Sequence, residues 1–155
     1  MKNHPAILLV EDDADDVYFI SRALRSSGLE PNLSVVHNGQ DAVEFLMKAG
    51  QAPPESDSPH PCLLLLDLNL PRKHGLEVLK WLRAEEKWKT IIVIVLTSST
   101  SENDMNEAYR LGANSYVIKP ADATRLSDLA EFIKGYWFGW NQLPPVCRAF
   151  HRLVN

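Results

Sequence analysis

Short apolar runs alternate with longer amphipathic stretches along the whole chain. The runs occupy residues 6–10, 33–37, 62–66, 91–96 and 115–118. The central run, Cys62 followed by four leucines, is too short for an independent buried helix and is bounded by Pro61 and Pro71. It predicts a strand that is covered on both faces, and the other runs predict four further short strands.

The stretches between the runs have apolar residues at helical spacing. In the first of them Val17, Ile20 and Leu24 lie three and four positions apart, and Gly28 follows as a stop signal. The predicted helices cover residues 14–27, 40–49, 76–86, about 102–111 and 122–140. Five strands that alternate with five helices predict an α/β fold. We expect a doubly wound, five-stranded parallel sheet with helices on both faces, in three α/β/α layers.

Charged and hydroxyl-bearing side chains follow four of the predicted strands. Glu11 and Asp12 come after the first strand, Asp67 after the third, Thr97 at the end of the fourth and Lys119 after the fifth. Parallel strands place their carboxyl ends at one edge of the sheet, which is where ligands bind in open α/β folds. The pattern therefore predicts that these five side chains form one site.

The chemistry of this site follows from its charges. Two carboxylates about 4 Å apart repel each other by roughly 4 kcal/mol at an effective dielectric constant of about 20, so a cation is expected between them. Oxygen ligands without histidine or cysteine favour a hard ion, Mg²⁺, with Mn²⁺ as the alternative. A carboxylate nucleophile, a metal, the Lys119 ammonium and the Thr97 hydroxyl together predict phosphoryl transfer onto Asp67. Asp13, the third acid after the first strand, is expected to cap the first helix.

Composition limits the other functions that this chain could have. Its 155 residues are 45% hydrophobic, which suits one domain with a core of its own, and the net charge of −4 lacks the basic patch of a nucleic-acid binder. The amino-terminal apolar run has five residues and predicts neither a signal peptide nor a membrane span. We therefore expect a cytoplasmic protein without nucleic-acid or membrane partners. Cys62 and Cys147 are expected to be reduced and without a role.

The motifs at the strand ends resemble the CheY-like receiver domain of two-component response regulators. They are the acidic pair, the run Leu-Leu-Asp-Leu-Asn-Leu-Pro-Arg-Lys-His-Gly, the threonine and the lysine–proline pair, and the match spans about residues 6–134. The resemblance implies a CheY-like (βα)5 fold of the flavodoxin-like type. It implies that Asp67 accepts the phosphoryl group, that Asp12, Asp67 and the Asn69 backbone carbonyl bind Mg²⁺, and that Glu11 assists through water.

Further roles also come from the resemblance. Thr97 and Lys119 would hold the phosphoryl oxygens, Tyr116 would be the aromatic partner of Thr97 in a conformational switch, and the Lys119–Pro120 peptide bond would be cis. A half-buried strand aromatic is the alternative for Tyr116. Receivers of this type are phospho-acceptors that assist their own phosphorylation and dephosphorylation, and they are not turnover enzymes.

The domain boundaries and partners follow from the same resemblance. We expect residues 1–140 to form the receiver domain and residues 141–155 a carboxyl-terminal arm, without an output domain. The motif wording, the proline-rich stretch before the third strand and the aromatic extension resemble the small regulators that partner phytochrome-type histidine kinases. A sensor histidine kinase is therefore the expected partner, with a phytochrome as the candidate.

Four aromatic residues, Tyr136, Trp137, Phe138 and Trp140, lie close together near the end of the last predicted helix. Rings of this kind bury about 150–250 Å² each, which is too much apolar surface to leave in water on a small domain. The segment must fold back onto its own domain or pack on a second copy. We favour the second arrangement and expect a homodimer through these residues.

Three alternatives belong to other functional classes. A phosphatase of the haloacid dehalogenase type would have a second acid two residues after the strand-end aspartate, where this chain has Asn69. A flavodoxin-type cofactor binder would have a phosphate loop after the first strand, where this chain has three acids. A degenerate receiver that only binds other proteins would lack part of the site, whereas all five site residues are present here.

Overall fold

Five parallel strands form the single sheet of the protein. The structure is a computed structural model, and it describes residues 6–29, 32–53, 60–145 and 147. The strands are β1 (Ala6–Val10), β2 (Leu33–Val36), β3 (Pro61–Leu66), β4 (Ile92–Thr97) and β5 (Ser115–Ile118). Their order across the sheet is β2-β1-β3-β4-β5, which is the order of flavodoxin-like sheets. The predicted fold class is confirmed.

Helices connect the strands, and polar side chains cap their amino termini. They are α1 (Ala14–Ser26), α2 (Gly39–Gln51), α3 (Gly75–Ala84), α4 (Glu102–Arg110) and α5 (Ala123–Phe132), and α5 continues into the π-helical segment Ile133–Trp140. Asp13 caps α1 as predicted, because its carboxylate accepts a hydrogen bond from the Asp16 N–H at 2.9 Å. Asn38 caps α2 in the same way through the Asp41 N–H.

The core has two halves, one on each face of the sheet. Alternate residues of the central strands face opposite sides, so that Leu8 and Leu64 pack against α2 and α3 whereas Ile7 and Leu63 pack against α1 and α5. Every residue of β3 and β4 is buried, as expected for central strands that are covered on both faces. The two central strands that lead to the site are therefore buried along their whole length.

Some predicted boundaries differ from the structure. Gly50 does not end α2, which continues to Gln51. The last helix covers the predicted length, but its second part is π-helical, with one extra residue in each turn. The apolar content of the sequence does not distinguish a π-helix from an α-helix. Residues 54–59 of the predicted connector lie outside the described part of the chain.

The two cysteines are not distant from each other in the fold. Both are free and buried, and the Cys147 thiol forms a hydrogen bond with the Cys62 thiol. This contact, together with burial, raises the pKa of Cys62 far above its usual range. Within the described ranges, no helix has the length and apolar character needed to cross a membrane.

Candidate functional site

The carboxyl ends of β1 and β3 meet where the strand order of the sheet reverses. Glu11 follows β1 and Asp67 follows β3, and backbone hydrogen bonds hold both residues in line with the sheet. The Glu11 N–H donates to the Val36 carbonyl at 3.0 Å, and the Asp67 N–H donates to the Val10 carbonyl at 3.1 Å. This reversal point is the usual ligand crevice of a doubly wound sheet.

Three carboxylates converge in this crevice, as predicted. Glu11, Asp12 and Asp67 can each offer one oxygen, and these oxygens lie within 4.8 Å of one another. Glu11 and Asp67 are buried, whereas Asp12 is exposed. An all-oxygen set that is open to water on one side suits a hard divalent cation that keeps part of its hydration shell. The residues therefore fit the predicted Mg²⁺ site.

The Lys119 ammonium reaches the same carboxylates from the end of β5, the outermost strand on that side of the sheet. Its Nζ lies 2.6 Å from Glu11 Oε2, 2.9 Å from Asp16 Oδ2 and 3.0 Å from Asp67 Oδ2. The lysine backbone is fixed by a hydrogen bond from its N–H to the Thr97 carbonyl at 2.9 Å. An ammonium has three protons, so all of them have carboxylate acceptors here.

Burial and ion pairing act against each other at this site, and the pKa values of Glu11 and Lys119 both lie above their ordinary values as a result. Burial raises the pKa of Glu11 above its ordinary value, although the hydrogen bond from Lys119 offsets part of the rise. Burial opposes the charge of Lys119, but its hydrogen bonds to Glu11, Asp16 and Asp67 outweigh burial, so the pKa of Lys119 also lies above its ordinary value. The ammonium is thus charged throughout the neutral range.

The loop after β3 fixes the orientation of the Asp67 carboxylate. Asp67 Oδ1 accepts a hydrogen bond from the Leu68 N–H at 2.7 Å, which leaves Oδ2 to face Lys119. At Gly75 the backbone of α3 comes so close that a Cβ would lie 2.2 Å from the Asp67 carbonyl oxygen and 2.7 Å from the Leu68 Cα. Glycine is needed at this position because any side chain would displace the loop.

Thr97 is the last residue of β4, and Tyr116 lies in the neighbouring strand β5, where it pairs with Val95. Thr97 is fully buried, and its hydroxyl accepts a hydrogen bond from the Ser99 N–H at 3.3 Å. Tyr116 is half-buried against a cluster that includes Leu68 and Val95. Its hydroxyl donates to the Ser99 carbonyl at 3.0 Å, and burial raises the pKa of this phenol. Ser99 thus links the two residues that were predicted to form a switch.

Two predictions at the edge of the site have different outcomes. Asn69 is exposed in the loop that follows Asp67, and the role of its carbonyl as a metal ligand stays a prediction. The predicted cis bond before Pro120 is wrong, since no peptide bond in the described part of the chain is cis. The trans form is the more stable one for X–Pro bonds by about 0.5–1 kcal/mol, and Lys119 reaches all three carboxylates without a cis bend.

Part of the aromatic segment near the end of the chain packs on its own domain, and part of it is exposed. Trp137 and Phe138 are partly buried and pack against the core between the sheet and α5. Tyr136 and Trp140 are 44% and 85% exposed, and Tyr136 stacks on Phe132, which is 58% exposed, with ring centroids 5.6 Å apart. Half of the segment thus folds back onto its own domain. The dimer remains a prediction for the exposed half.

Asp16 is the site residue that sequence reasoning missed. It lies in the first turn of α1 beside a second acid, Asp15, and the sequence offers no means of telling them apart. Acids in a first helical turn are common because they favour the positive end of the helix dipole. Only the packing of α1 against the sheet brings Asp16, and not Asp15, to Lys119.

Comparison with known proteins identifies the family. A family model for the response regulator receiver domain matches residues 7–131. The chain is 38% identical over 141 residues to the probable methanogenesis regulatory protein FilR2 of Methanothrix harundinacea, covering 89% of this chain and 86% of that protein. It is 36% identical over 138 residues to the response regulator Rcp1 of Synechocystis, covering 89% of this chain and 92% of that protein.

Two solved structures share the fold over almost their whole length. The phosphorylated cyanobacterial phytochrome response regulator RcpA matches with a TM-score of 0.81 and 34% identity, covering 92% of this chain and 99% of that one. The Mn²⁺-bound form of Rcp1 matches with a TM-score of 0.78 and 35% identity, covering 91% and 99%. Family match, sheet order and the converging acids lead to one conclusion: this chain belongs to the response regulator receiver domain family and is homologous to phytochrome response regulators.

Proposed function

We propose that this protein is a response regulator in which Asp67 accepts a phosphoryl group from a phosphohistidine of a sensor kinase, or from acetyl phosphate. The groups that surround Asp67 Oδ2 support this proposal. A carboxylate oxygen at the ligand-binding edge of the sheet lies 3.0 Å from a charged ammonium and within reach of two further acids. This arrangement combines a nucleophile with the positive charge that phosphoryl transfer requires.

In the proposed step an Asp67 oxygen forms a bond to phosphorus while the bond from phosphorus to the donor nitrogen or acetyl oxygen breaks. The Lys119 ammonium and the Thr97 hydroxyl donate hydrogen bonds to the phosphoryl oxygens as negative charge develops on them. Glu11, Asp12, Asp67 and the Asn69 carbonyl would hold Mg²⁺ or Mn²⁺. When bound, that ion supplies positive charge opposite the same oxygens.

The protein would act as an acceptor and not as a turnover enzyme. Uptake should stop at one phosphoryl group per chain, because the product remains attached to Asp67 until it is hydrolysed or passed on. Residues 1–140 would form the working receiver domain of a cytoplasmic protein, with 141–155 as its arm. A stoichiometry well above one would contradict a single acceptor.

We propose that phosphorylation is transmitted through Thr97 and Tyr116 by a shift between two existing conformations. The Ser99 backbone joins them, since its N–H donates to the Thr97 hydroxyl and its carbonyl accepts from Tyr116. Thr97→Ala should be phosphorylated roughly ten- to hundredfold more slowly, as expected for one lost hydrogen bond to a charged group. Its phosphorylated form should also bind the kinase or a downstream partner almost as the unphosphorylated form does, when both are compared by calorimetry.

Ser98→Ala is the matched control for this experiment, because Ser98 is the exposed hydroxyl next along the chain. Its phosphorylation rate and its two binding affinities should equal those of the wild type. If Thr97→Ala retained the full difference in affinity between its two forms, the coupling would run through other residues.

A phytochrome-type histidine kinase is the partner that we propose for this regulator, with light as the input. The support is similarity to Rcp1 and RcpA, of which the second is a phytochrome response regulator by name. FilR2, which is similarly close in sequence, has a name that refers to methanogenesis. A phosphotransfer profile against the histidine kinases of the host distinguishes the two possibilities. Fastest transfer from a kinase without a chromophore would refute the light input.

We also propose a homodimer through the face formed by Phe132, Tyr136 and Trp140, the exposed half of the aromatic segment. A symmetric pair would cover the same apolar face on both copies and leave no open surface for further association. Trp137 and Phe138, the other two aromatics of the original prediction, would support this face from the core side.

The central proposal is tested with radiolabelled acetyl phosphate. Wild-type protein should retain label in Mg²⁺ and lose it in chelator. Asp67→Asn removes the nucleophile with almost no change in size, and Asp12→Ala removes a metal ligand, so both should retain little or no label. Asp15→Asn, an exposed acid nearby in α1, is the control. Labelling of Asp67→Asn at the wild-type level would refute the assignment.

A further inference from the structure

Asp16 lies at this site but outside the cluster of three carboxylates formed by Glu11, Asp12 and Asp67. Its Oδ2 lies 2.9 Å from Lys119 Nζ, between the distances from that ammonium to Glu11 (2.6 Å) and to Asp67 (3.0 Å). The group whose oxygens lie within 4.8 Å of one another contains Glu11, Asp12 and Asp67, and it does not include Asp16. Lys119 therefore contacts two acids of the cluster that can bind a cation, Glu11 and Asp67, and one acid outside it, Asp16.

The local structure leaves the Asp16 carboxylate accessible to Lys119. Asp16 lies in the first turn of α1, where the exposed N–H groups of the helix stabilise negative charge. Its backbone N–H donates to the capping oxygen of Asp13, and its side chain contacts Lys119. The Asp16 side chain is 40% exposed, compared with 1% for Glu11 and 7% for Asp67. The Asp16 carboxylate is therefore in contact with both water and the lysine.

A divalent cation and Lys119 compete for the same oxygens. The ammonium now contacts Glu11 Oε2 and Asp67 Oδ2, which belong to the carboxylates that a cation would draw in. If those carboxylates held a cation, they would attract the ammonium less, and the cation itself would repel it. Of the three carboxylate contacts of Lys119, the contact with Asp16 is the one that would then remain.

We propose that Asp16 is a positioning residue that holds the Lys119 ammonium at the edge of the site when a divalent cation is bound by the three clustered carboxylates. The ammonium then remains beside Asp67, in position to meet the oxygens of an incoming phosphoryl group. This inference rests on the proposed function of Asp67 and adds a residue that acts through Lys119. Asp16 itself lies outside the cluster of Glu11, Asp12 and Asp67 and would act through Lys119.

The experiment compares Asp16→Asn with two other variants of the full chain. Asp15→Asn removes the same charge from the same helical turn, at a residue outside the Lys119 contacts. Asp16→Glu keeps the charge on a longer side chain. Circular dichroism melting first establishes that all the variants fold, which is expected because both aspartates lie on the surface of α1.

The direct measurement is the rate at which an excess of acetic anhydride acetylates Lys119 in saturating Mg²⁺, followed by mass spectrometry. Losing one charge-assisted hydrogen bond should leave the amine less restrained and more accessible to the reagent, so Asp16→Asn should react about tenfold faster than the wild type. The rates of Asp15→Asn should stay within about twofold of the wild type, since a surface charge without the contact has a screened effect. Asp16→Glu should restore most of the protection.

A second measurement is the rate of phosphorylation by acetyl phosphate. Asp16→Asn should be slower than the wild type by about tenfold, for the same lost hydrogen bond, and Asp15→Asn should be close to the wild type. Equal Lys119 acetylation in Asp16→Asn and Asp15→Asn would overturn the positioning role. A wild-type protein that takes up no phosphoryl group would instead refute the proposed function, and the acetylation rates would still decide whether Asp16 holds Lys119.

Discussion

Replacing Lys119 with methionine should destabilise the protein in a manner that depends on pH and on divalent cations. Methionine keeps most of the length and apolar surface of lysine, but it removes the ammonium that contacts Glu11 and Asp67. These two acids are 1% and 6% exposed. The variant would therefore leave two neighbouring carboxylates buried without a cation between them.

The size of the effect follows from this geometry. The carboxylate oxygens of Glu11 and Asp67 can lie within 4.8 Å of each other, a separation at which two full charges repel by about 3 kcal/mol at an effective dielectric constant of about 20. Removing one partner of a buried ion pair costs about 3–5 kcal/mol. Because protonation relieves part of this cost, we expect a loss of about 3 kcal/mol in the free energy of unfolding, or about 1.5 M in the urea midpoint.

The pH dependence has a definite sign. Burial already raises the pKa of Glu11 above its ordinary 4.5, and the hydrogen bond from Lys119 offsets part of that rise. Without Lys119 the pKa rises further, so over the window between 4.5 and the raised value the folded protein binds a proton that the unfolded chain has released. Stability then increases as the pH falls through this window, because protons favour the state that binds more of them.

Urea unfolding followed by circular dichroism measures this directly, at pH 8 and pH 5.5, in chelator and in Mg²⁺. The deficit of Lys119→Met in chelator should be smaller at the lower pH, and Mg²⁺ should reduce it at pH 8. Lys48→Met, at an exposed lysine of α2, should lie within about 0.5 kcal/mol of the wild type under all conditions. A Lys119→Met midpoint equal to that of the wild type at pH 8 in chelator would refute the electrostatic account.

Two further predictions concern the loop and the aromatic face. Gly75→Ala should lower the free energy of unfolding in urea by about 1–3 kcal/mol, because its Cβ would lie 2.2 Å from the backbone at the end of β3. Gly135→Ala is the control, since no atom lies within 4 Å of the added Cβ, and it should be neutral or slightly stabilising. Equal midpoints for the two variants would contradict the close packing of the loop. Sedimentation at high micromolar concentration should show a wild-type dimer and a monomeric Tyr136→Ser/Trp140→Ser variant. Tyr109→Ser, at an aromatic residue of α4 that is 54% exposed, should remain dimeric, and a monomeric wild type would refute the dimer.

The strand-end residues could be predicted from the sequence because they follow from topology alone. Once a leucine run such as 63–66 is assigned to a central parallel strand, Asp67 must lie at the carboxyl edge, and the same argument places Glu11, Thr97 and Lys119 there. No detail of packing enters this reasoning. The convergence of the three acids in the structure therefore confirms a prediction that rests on strand order.

The contacts that depend on helix packing could not be predicted in this way. Asp15 and Asp16 are adjacent acids in one helical turn, and the rotation of α1 against the sheet decides which of them meets Lys119. The division of the aromatic segment has the same origin. Trp137 packs on the core whereas Trp140 is 85% exposed, and the π-helical geometry that sets their directions has no signature in hydrophobic periodicity.

The most direct test of the account locates the phosphoryl group on the chain. Protein that has been phosphorylated in Mg²⁺ is reduced with tritiated borohydride, which converts an aspartyl phosphate into labelled homoserine, and the peptides are then sequenced. The account predicts label at position 67 alone, and none when the phosphorylation is done in chelator. Label at another acid of the site, or phosphate that survives reduction on a serine, threonine or histidine, would contradict Asp67 as the acceptor.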